Sequence, residues 1–263
     1  MKNYQAKTEF IGRNIKYLES CESTNSLALQ ECLEKEIEEG FCYIANHQTN
    51  GRGQRGNSWD SKKGDNLLLS IVLKPTLNAN QQFYLSKSIA CGIVKGLNQW
   101  AKIHLNKSLP FSVKWPNDIY VEDKKIGGIL IENQWNAGNW IHSIVGIGLN
   151  INQEHFGDLR ASSLKSYSKL SEPIEKGEVF NFICTSIEYF YKKNSPENFA
   201  FIDEQYHSYL MRLNEWHLYQ EVENSQVIDG KIIQVNEQGL LLMEKQNGYK
   251  LYDLKEIIFI FPS

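Results

Sequence analysis

Leu29, Leu33 and Ile37 recur at four-residue spacing behind Ser23-Thr24-Asn25, which predicts a capped helix ending near Gly40. A short strand follows at residues 41–46. Residues 66–73 form an apolar run stopped by Pro75 and read as a buried strand. Leu85, Ile89, Ile93 and Leu97 then mark a helix over residues 81–103. Next comes a strand-rich block at 111–115, 119–121, 126–135 and 140–149. Its connections carry turn chemistry at Pro116-Asn117-Asp118, Glu122-Asp123 and Asn136-Ala137-Gly138. Connections this short require antiparallel neighbours, so the sheet should be mixed or antiparallel. Residues 178–193 and 196–213 read as two more helices. Beyond about residue 215 only short strands recur, at 226–235, 239–244, 249–251 and 257–261. The pattern is α+β: a mixed or antiparallel sheet with packed helices, then a small C-terminal β-barrel too small to bury much core alone and expected to pack on the main domain.

Composition narrows the class. The chain has 263 residues and a formal net charge of −3, and its lysine pairs never gather into the basic run that coats nucleic-acid phosphates. Binding to nucleic acid or to a membrane surface is not expected. Five scattered cysteines without a C-x-x-C fit reduced thiols. Six histidines without ligand spacing argue against a structural metal. The polar N-terminus lacks the apolar core of a signal peptide, and no apolar run could cross a bilayer. A cytoplasmic protein is expected.

Candidate chemistry sits in three places. Residues 47–65 form a polar, glycine-rich loop too long for a mere connector. Its Gly51-Arg52-Gly53-Gln54-Arg55-Gly56 matches the dinucleotide pattern G-x-G-x-x-G literally. The context rejects that reading: no helix starts at the last glycine, and no acidic residue stands about twenty positions on. No G-K-[ST] closes a P-loop either. Glycines that let backbone N–H groups approach an anion, with two forked arginine donors, still suit a flap over phosphate or carboxylate. Trp59 is placed to cover a ligand base or to anchor the loop. In the second place, Lys114-Trp115-Pro116-Asn117-Asp118, the Asn-Asp pair is either turn chemistry or, at Asp118, a carboxylate for a metal on a nucleotide triphosphate. Lys125 opens the third, ahead of Gly127-Gly128, where two strand glycines suggest close approach to the backbone. Gly146-x-Gly148-x-Asn150-x-Asn152 repeats that device.

Taken with Ser23-Thr24-Asn25 and Gln48-x-x-Gly51-Arg52-Gly53, these segments resemble, in order and spacing over roughly residues 15–155, the biotin–protein ligases. The resemblance implies a class II synthetase-like catalytic domain over 1–216 and a small SH3-like C-terminal β-barrel domain over 217–263. It also implies two reactions. Biotin and ATP, with Mg²⁺, give biotinyl-5′-AMP and pyrophosphate, and the ε-amine of a lysine on a biotin carboxyl carrier domain then takes the biotinyl group and releases AMP. By the same resemblance Ser23, Thr24, Asn25 and Gln48 hold the ureido ring. Gly51, Arg52 and Gly53 lie along the carboxylate and phosphate, and Gly128 floors the biotin pocket. Lys125, with Arg52, neutralises charge developing at the carboxylate and α-phosphate. Trp59, Asn117, Asn150 and Arg55 serve the nucleotide, and Asp118 the Mg²⁺.

Gln54 departs from the G-R-G-R form common in the family, which transfers retention of the adenylate to Arg52 or Arg55. The first motif begins at residue 23, so no DNA-binding repressor domain is expected before it. A homodimer is compatible with the family but is not specified by any strand here. A lipoate or octanoyl ligase is the alternative enzyme, yet it would need an apolar slot where Ser23, Thr24, Asn25 and Gln48 are polar. A non-catalytic biotin-binding module would not need a cation such as Lys125 at the scissile bond.

Overall fold

The computed structural model describes residues 4–262, with the side chain of Arg55 outside the described set. Seven strands form the first sheet: β1 (Ile15–Leu18), β2 (Cys42–Ala45), β3 (Leu67–Leu73), β4 (Phe111–Lys114), β5 (Asp118–Val121), β6 (Lys124–Asn136) and β7 (Asn139–Leu149). They lie in the order β1-β2-β3-β7-β6-β5-β4. β1 and β2 run parallel and every other neighbouring pair antiparallel, which makes the sheet mixed, as expected.

Successive strand residues point to opposite faces, and β3 shows what each face is for. Leu67, Leu69, Ile71 and Leu73 join the main core. That core is closed by three helices, α2 (Gln82–Leu105), α4 (Lys176–Lys192) and α5 (Phe199–Tyr209). Val72 points the other way, into a second cluster with Tyr43, Ile144 and Ala28 of α1 (Thr24–Glu34). Helix α3 (Leu164–Ser168) is a single short turn after β7. α2 and α4 approach very closely because Gly92 and Gly96 of α2 face α4. A Cβ on them would fall 2.6 Å from Ile187 Cα and 2.7 Å from Ile183 Cα.

Helix α1 stops at Glu34 rather than near Gly40. Leu33 is 78% exposed, so the four-residue spacing was not the buried stripe, and Ile37 reaches the core from non-helical chain. Gly40, at φ +81, turns the chain into β2 against the carbonyl of Phe10.

The C-terminal region holds five strands: β8 (Trp216–Glu221), β9 (Val227–Val235), β10 (Leu241–Lys245), β11 (Gly248–Tyr252) and β12 (Ile257–Phe259). Their order is β11-β10-β9-β8-β12 and all pairs are antiparallel. This corrects the expected barrel: the sheet is open, with β11 and β12 as its two edges. The reason lies in where its apolar face goes. Tyr219, Ile232, Val235, Leu241, Met243 and Tyr252 merge into the main core, so the sheet closes against the first region and not on itself. Polar contacts seal the join. Trp115 Nε1 donates to Gly239 O at 2.9 Å and Lys87 Nζ to Val235 O at 3.0 Å. Lys87, on α2, is fully buried and paired with Asp203 of α5 at 2.5 Å, so its charge is compensated inside the protein.

Candidate active site

The sheet face that carries α1 bears two adjoining cavities, one narrow and polar, the other wide and charged. Ser23, Thr24 and Asn25 sit at the start of α1, where the cap geometry fixes them. Ser23 Oγ accepts from Ser26 N at 3.4 Å, as an N-cap does. Gln48 crosses to this turn: its Oε1 accepts from Thr24 N at 2.7 Å and from Thr24 Oγ1 at 2.9 Å. Below them lies Ser70, the one polar residue of β3, with its Oγ 2.6 Å from Asn25 Oδ1 and 2.7 Å from Thr24 Oγ1. Asn25 Nδ2 donates to Glu132 Oε2 at 2.9 Å and to Leu130 O at 3.3 Å.

The floor is glycine. Gly128 of β6 pairs with Gly148 of β7, and Leu130 with Gly146. These glycines are spaces for neighbours: a Cβ on Gly146 would fall 2.9 Å from Asn25 Cγ, and one on Gly148 would fall 2.7 Å from the Trp59 indole. The free volume left in the slot is only about 30 Å³.

The glycine-rich loop folds over this slot as a tight flap. Gly53 N donates to Asn57 O at 2.7 Å and Trp59 N to Gly51 O at 2.9 Å, which delivers the Trp59 indole onto Gly128 and Gly148. Trp59 Nε1 is buried without a partner among the described residues. Arg52 pins the flap from the other side, donating to Glu132 Oε1 at 2.6 Å and to Ser26 Oγ at 3.2 Å.

Trp59 and Gly128 also border the second cavity, of about 540 Å³. Lys125 enters it from the start of β6, where its Nζ pairs with Asp118 Oδ1 at 2.6 Å and stands 5.6 Å from the Trp59 ring. Its Cε is 3.7 Å from where a Cβ of Gly128 would be, at the boundary of the two cavities. Lys114 adds a second cation, 4.6 Å from the centre of the Phe259 ring, and burial holds its ammonium below the ordinary lysine range. The Pro116-Asn117 turn is locked by a reciprocal pair: Asn117 Nδ2 donates to Ile129 O at 2.6 Å, and Ile129 N to Asn117 O at 2.9 Å. Val222, Leu254 and Ile258 of the C-terminal region add apolar lining to the same cavity.

The residues singled out from the sequence thus separate into groups. Ser23, Thr24, Asn25, Gln48, Arg52 and Gly128 line the slot, while Gly53, Trp59, Asn117, Asp118, Lys125 and Gly128 line the wide cavity. Gly51 shapes the flap through its contact with Trp59. Asn150 is in neither wall: it is buried and donates from Nδ2 to Ser162 O at 3.2 Å. Arg55 lies outside the described side chains. The sequence reading gave no role to Ser70, Glu132, Lys114 or the C-terminal wall. Two of these had a signal: a serine inside the otherwise apolar Leu67–Leu73 strand, and a glutamate four residues beyond Gly128, on the same strand face.

Comparison with known proteins agrees with this architecture. Residues 17–150 match the Biotin/lipoate A/B protein ligase family. The "Bifunctional ligase/repressor BirA" of Bacillus spizizenii is 30% identical over 247 residues, which cover 93% of this chain and 73% of that protein. The biotin–protein ligase of Homo sapiens is 25% identical over 267 residues, covering 98% of this chain and 34% of that one. Among solved structures, the biotin protein ligase from Aquifex aeolicus in complex with biotin and ATP superposes with a TM-score of 0.73 at 26% identity, covering 93% of this chain and 97% of that one. The chain belongs to the biotin/lipoate A/B protein ligase family.

Proposed function

We propose that the protein is an ATP-dependent biotin–protein ligase, and that the slot and the wide cavity are the two halves of one active site. Biotin's carboxylate attacks the α-phosphorus of ATP, forming biotinyl-5′-AMP and releasing pyrophosphate. The neutral ε-amine of a carrier-domain lysine then attacks the mixed anhydride, an amide forms, and AMP leaves. The observation that carries this reading is the place of the Lys125 ammonium, at the boundary between a slot lined by hydroxyl and amide groups and a cavity wide enough for a nucleotide. A cation there offsets charge building on the carboxylate and α-phosphate, the term that dominates such transfers.

Ser23, Thr24 and Gln48 meet the ureido ring, and Gly128 lets the ring lie flat on the sheet. Gly51, Arg52 and Gly53 close over the carboxylate. Asn25 serves as a buttress, since both its amide hydrogens and its oxygen are already engaged. Trp59 must lift from Gly148 to admit ligand, and then covers the adenylate. Lys114 and Lys125 face the phosphates, with Asn117 shaping the turn beside them. Asp118 is the carboxylate suited to Mg²⁺, which would arrive on the triphosphate: no group of three or more His, Cys, Asp or Glu side chains that could hold a metal gathers among the described residues. A catalytic domain over 1–216 and a C-terminal domain over 217–263 divide the chain within one residue of Trp216, where β8 and the second sheet begin. The acceptor is a biotin carboxyl carrier domain, and the five free cysteines suit the cytoplasm.

Pyrophosphate release measured with biotin, ATP and Mg²⁺, then label transfer to a carrier domain, tests this. Biotin-dependent release followed by transfer is the expected result. Release stimulated only by lipoate, or no turnover, would overturn it.

A further inference from the structure

Lys125 reaches the cavity face only because β6 is irregular at its start. Gly127 and Ile129 turn toward the core: a Cβ on Gly127 would fall 3.4 Å from Ile119 Cβ, and Ile129 belongs to the main cluster. Gly128 and Leu130 turn the other way and line the slot. Strict alternation would bury Lys125 beside Gly127 and push Ile126 out beside Gly128. The register prevents this. Asp118 pairs with Gly128 and Ile119 with Gly127, but Tyr120 pairs with Lys125, so Ile126 is an extra residue, a β-bulge. Ile126 goes into the core, and Lys125 emerges on the face of Gly128 with its Nζ on Asp118. Bulges re-aim side chains in this way.

A bulge interrupts the ladder and has to be held from elsewhere. β7 ends at Leu149, opposite Gly127, so it does not extend to Lys125. Residues 160–162 take its place, bridging Lys125 in parallel at Ala161. Lys125 N donates to Arg160 O at 3.0 Å, and Ser162 N donates to Lys125 O at 2.9 Å. Asn150, the first residue after β7, ties this segment to the bulge. Its N donates to Ile126 O at 2.8 Å, and its carbonyl accepts from Leu164 N at 3.0 Å. Its buried side chain donates from Nδ2 to Ser162 O at 3.2 Å. We propose that Asn150 is a positioning residue for Lys125: it holds residues 160–162 against the bulge, and the bulge aims the ammonium at the junction of the two cavities. The inference rests on the ligase reading of the site and gives a role to a residue that lines neither cavity.

Asn150→Asp keeps the shape of the side chain, removes its N–H and sets a carboxylate oxygen against Ser162 O. Asn150→Ala removes the bond without adding charge, so that a folding defect in one variant does not decide the matter, and thermal midpoints are taken for both. AMP formation is measured with biotin and ATP. Both variants should lower kcat about tenfold, the effect of a small misplacement of a reacting charge, while KM for biotin and for ATP stays within about twofold. A double-mutant cycle with Lys125→Ala separates positioning from general damage. With no ammonium left to misplace, the further loss from either Asn150 substitution should shrink to less than about twofold. An equal loss with and without Lys125 would overturn the proposal. So would a raised KM for ATP with a weakened choice of ATP over GTP, which would put the Asn150 amide on the base. If the unsubstituted protein shows no biotin-dependent AMP formation, the ligase reading fails and takes this inference with it. Normal AMP formation with an additive cycle sinks the inference alone.

Discussion

The two faces of the seven-stranded sheet are built from the same strands and do opposite work. Toward α2 and α4, β3 presents Leu67, Leu69, Ile71 and Leu73, and the helices pack so closely that two glycines are needed between them. Toward α1, the same strand presents Ser70, and β6 and β7 give up their side chains at Gly128, Gly146 and Gly148. On the first face glycine brings backbones together and is a device of stability. On the second it withholds side chains from a surface where a ligand is to lie. Substitutions on the two faces should consequently fail in different ways.

The largest effect is expected at the junction of the two cavities. Lys125→Ala should lower kcat for AMP formation about 10²–10³-fold, or ~2.7–4 kcal/mol of barrier, if its ammonium acts as a single charge-stabilising donor. Its pair with Asp118 is partly exposed, so the loss in folding stability should stay within ~1 kcal/mol by thermal denaturation. Matched glycine substitutions separate the faces next. Gly146→Ala drives a methyl into Asn25 and should raise KM for biotin about tenfold or more, an overpacking cost of ~1–3 kcal/mol in the binding step. Gly92→Ala drives a methyl against the backbone of Ile187, which cannot move aside. It should lose ~1–3 kcal/mol of folding stability with KM unchanged in the folded fraction. A rise in KM with Gly92→Ala, or a purely thermal effect of Gly146→Ala, would erase the contrast.

Where the faces meet the C-terminal sheet, a smaller and pH-dependent effect is expected. Val235 N–H donates to His207 Nε2 at 2.9 Å, and His207 Nδ1 lies 2.7 Å from Asp203 O, so the ring is held neutral with its proton on Nδ1. Burial lowers the His207 pKa from its ordinary value of 6.5, with Lys87 acting in the same direction and Asp203 against it. A depressed histidine stabilises the fold fully above the unfolded value and loses that contribution as pH falls below about 6.5. The protection of the Val235 amide against hydrogen exchange, taken relative to the intrinsic exchange rate at each pH, should fall between pH 7.5 and pH 5.5. His142 is shifted the same way, so the thermal readout is the part of the pH dependence that His207→Gln removes.

Much of this was legible in the residues. The stripe of Leu85, Ile89, Ile93 and Leu97 located α2, while of the strand glycines singled out, Gly128, Gly146 and Gly148 line the slot and Gly127 faces Leu149 on the other side of the sheet. What misled was local resemblance between unlike contexts. Strand β8 escaped notice because Trp216 and Leu218 lie about half exposed, so its apolar alternation does not track burial. The barrel was expected because short strands of period 2, four of them seen in the sequence, look the same whether they close on themselves or lean on another core. Helix α1 was drawn too long through Leu33, an exposed leucine at a helical spacing. Asn150 lies at the right distance along a strand, yet its amide is taken by Ser162. Ser70 was passed over because a single hydroxyl in an apolar strand carries meaning only once its partners are known.

The central claim is that slot and wide cavity form one site with Lys125 between them. A crystal structure with biotinyl-5′-AMP bound tests it most directly. The ureido ring should lie in the slot against Thr24 and Gln48, with the Trp59 indole lifted from Gly148 and a phosphate oxygen about 3 Å from Lys125 Nζ. A ureido ring seated elsewhere, or a phosphate beyond reach of that amine, would contradict it.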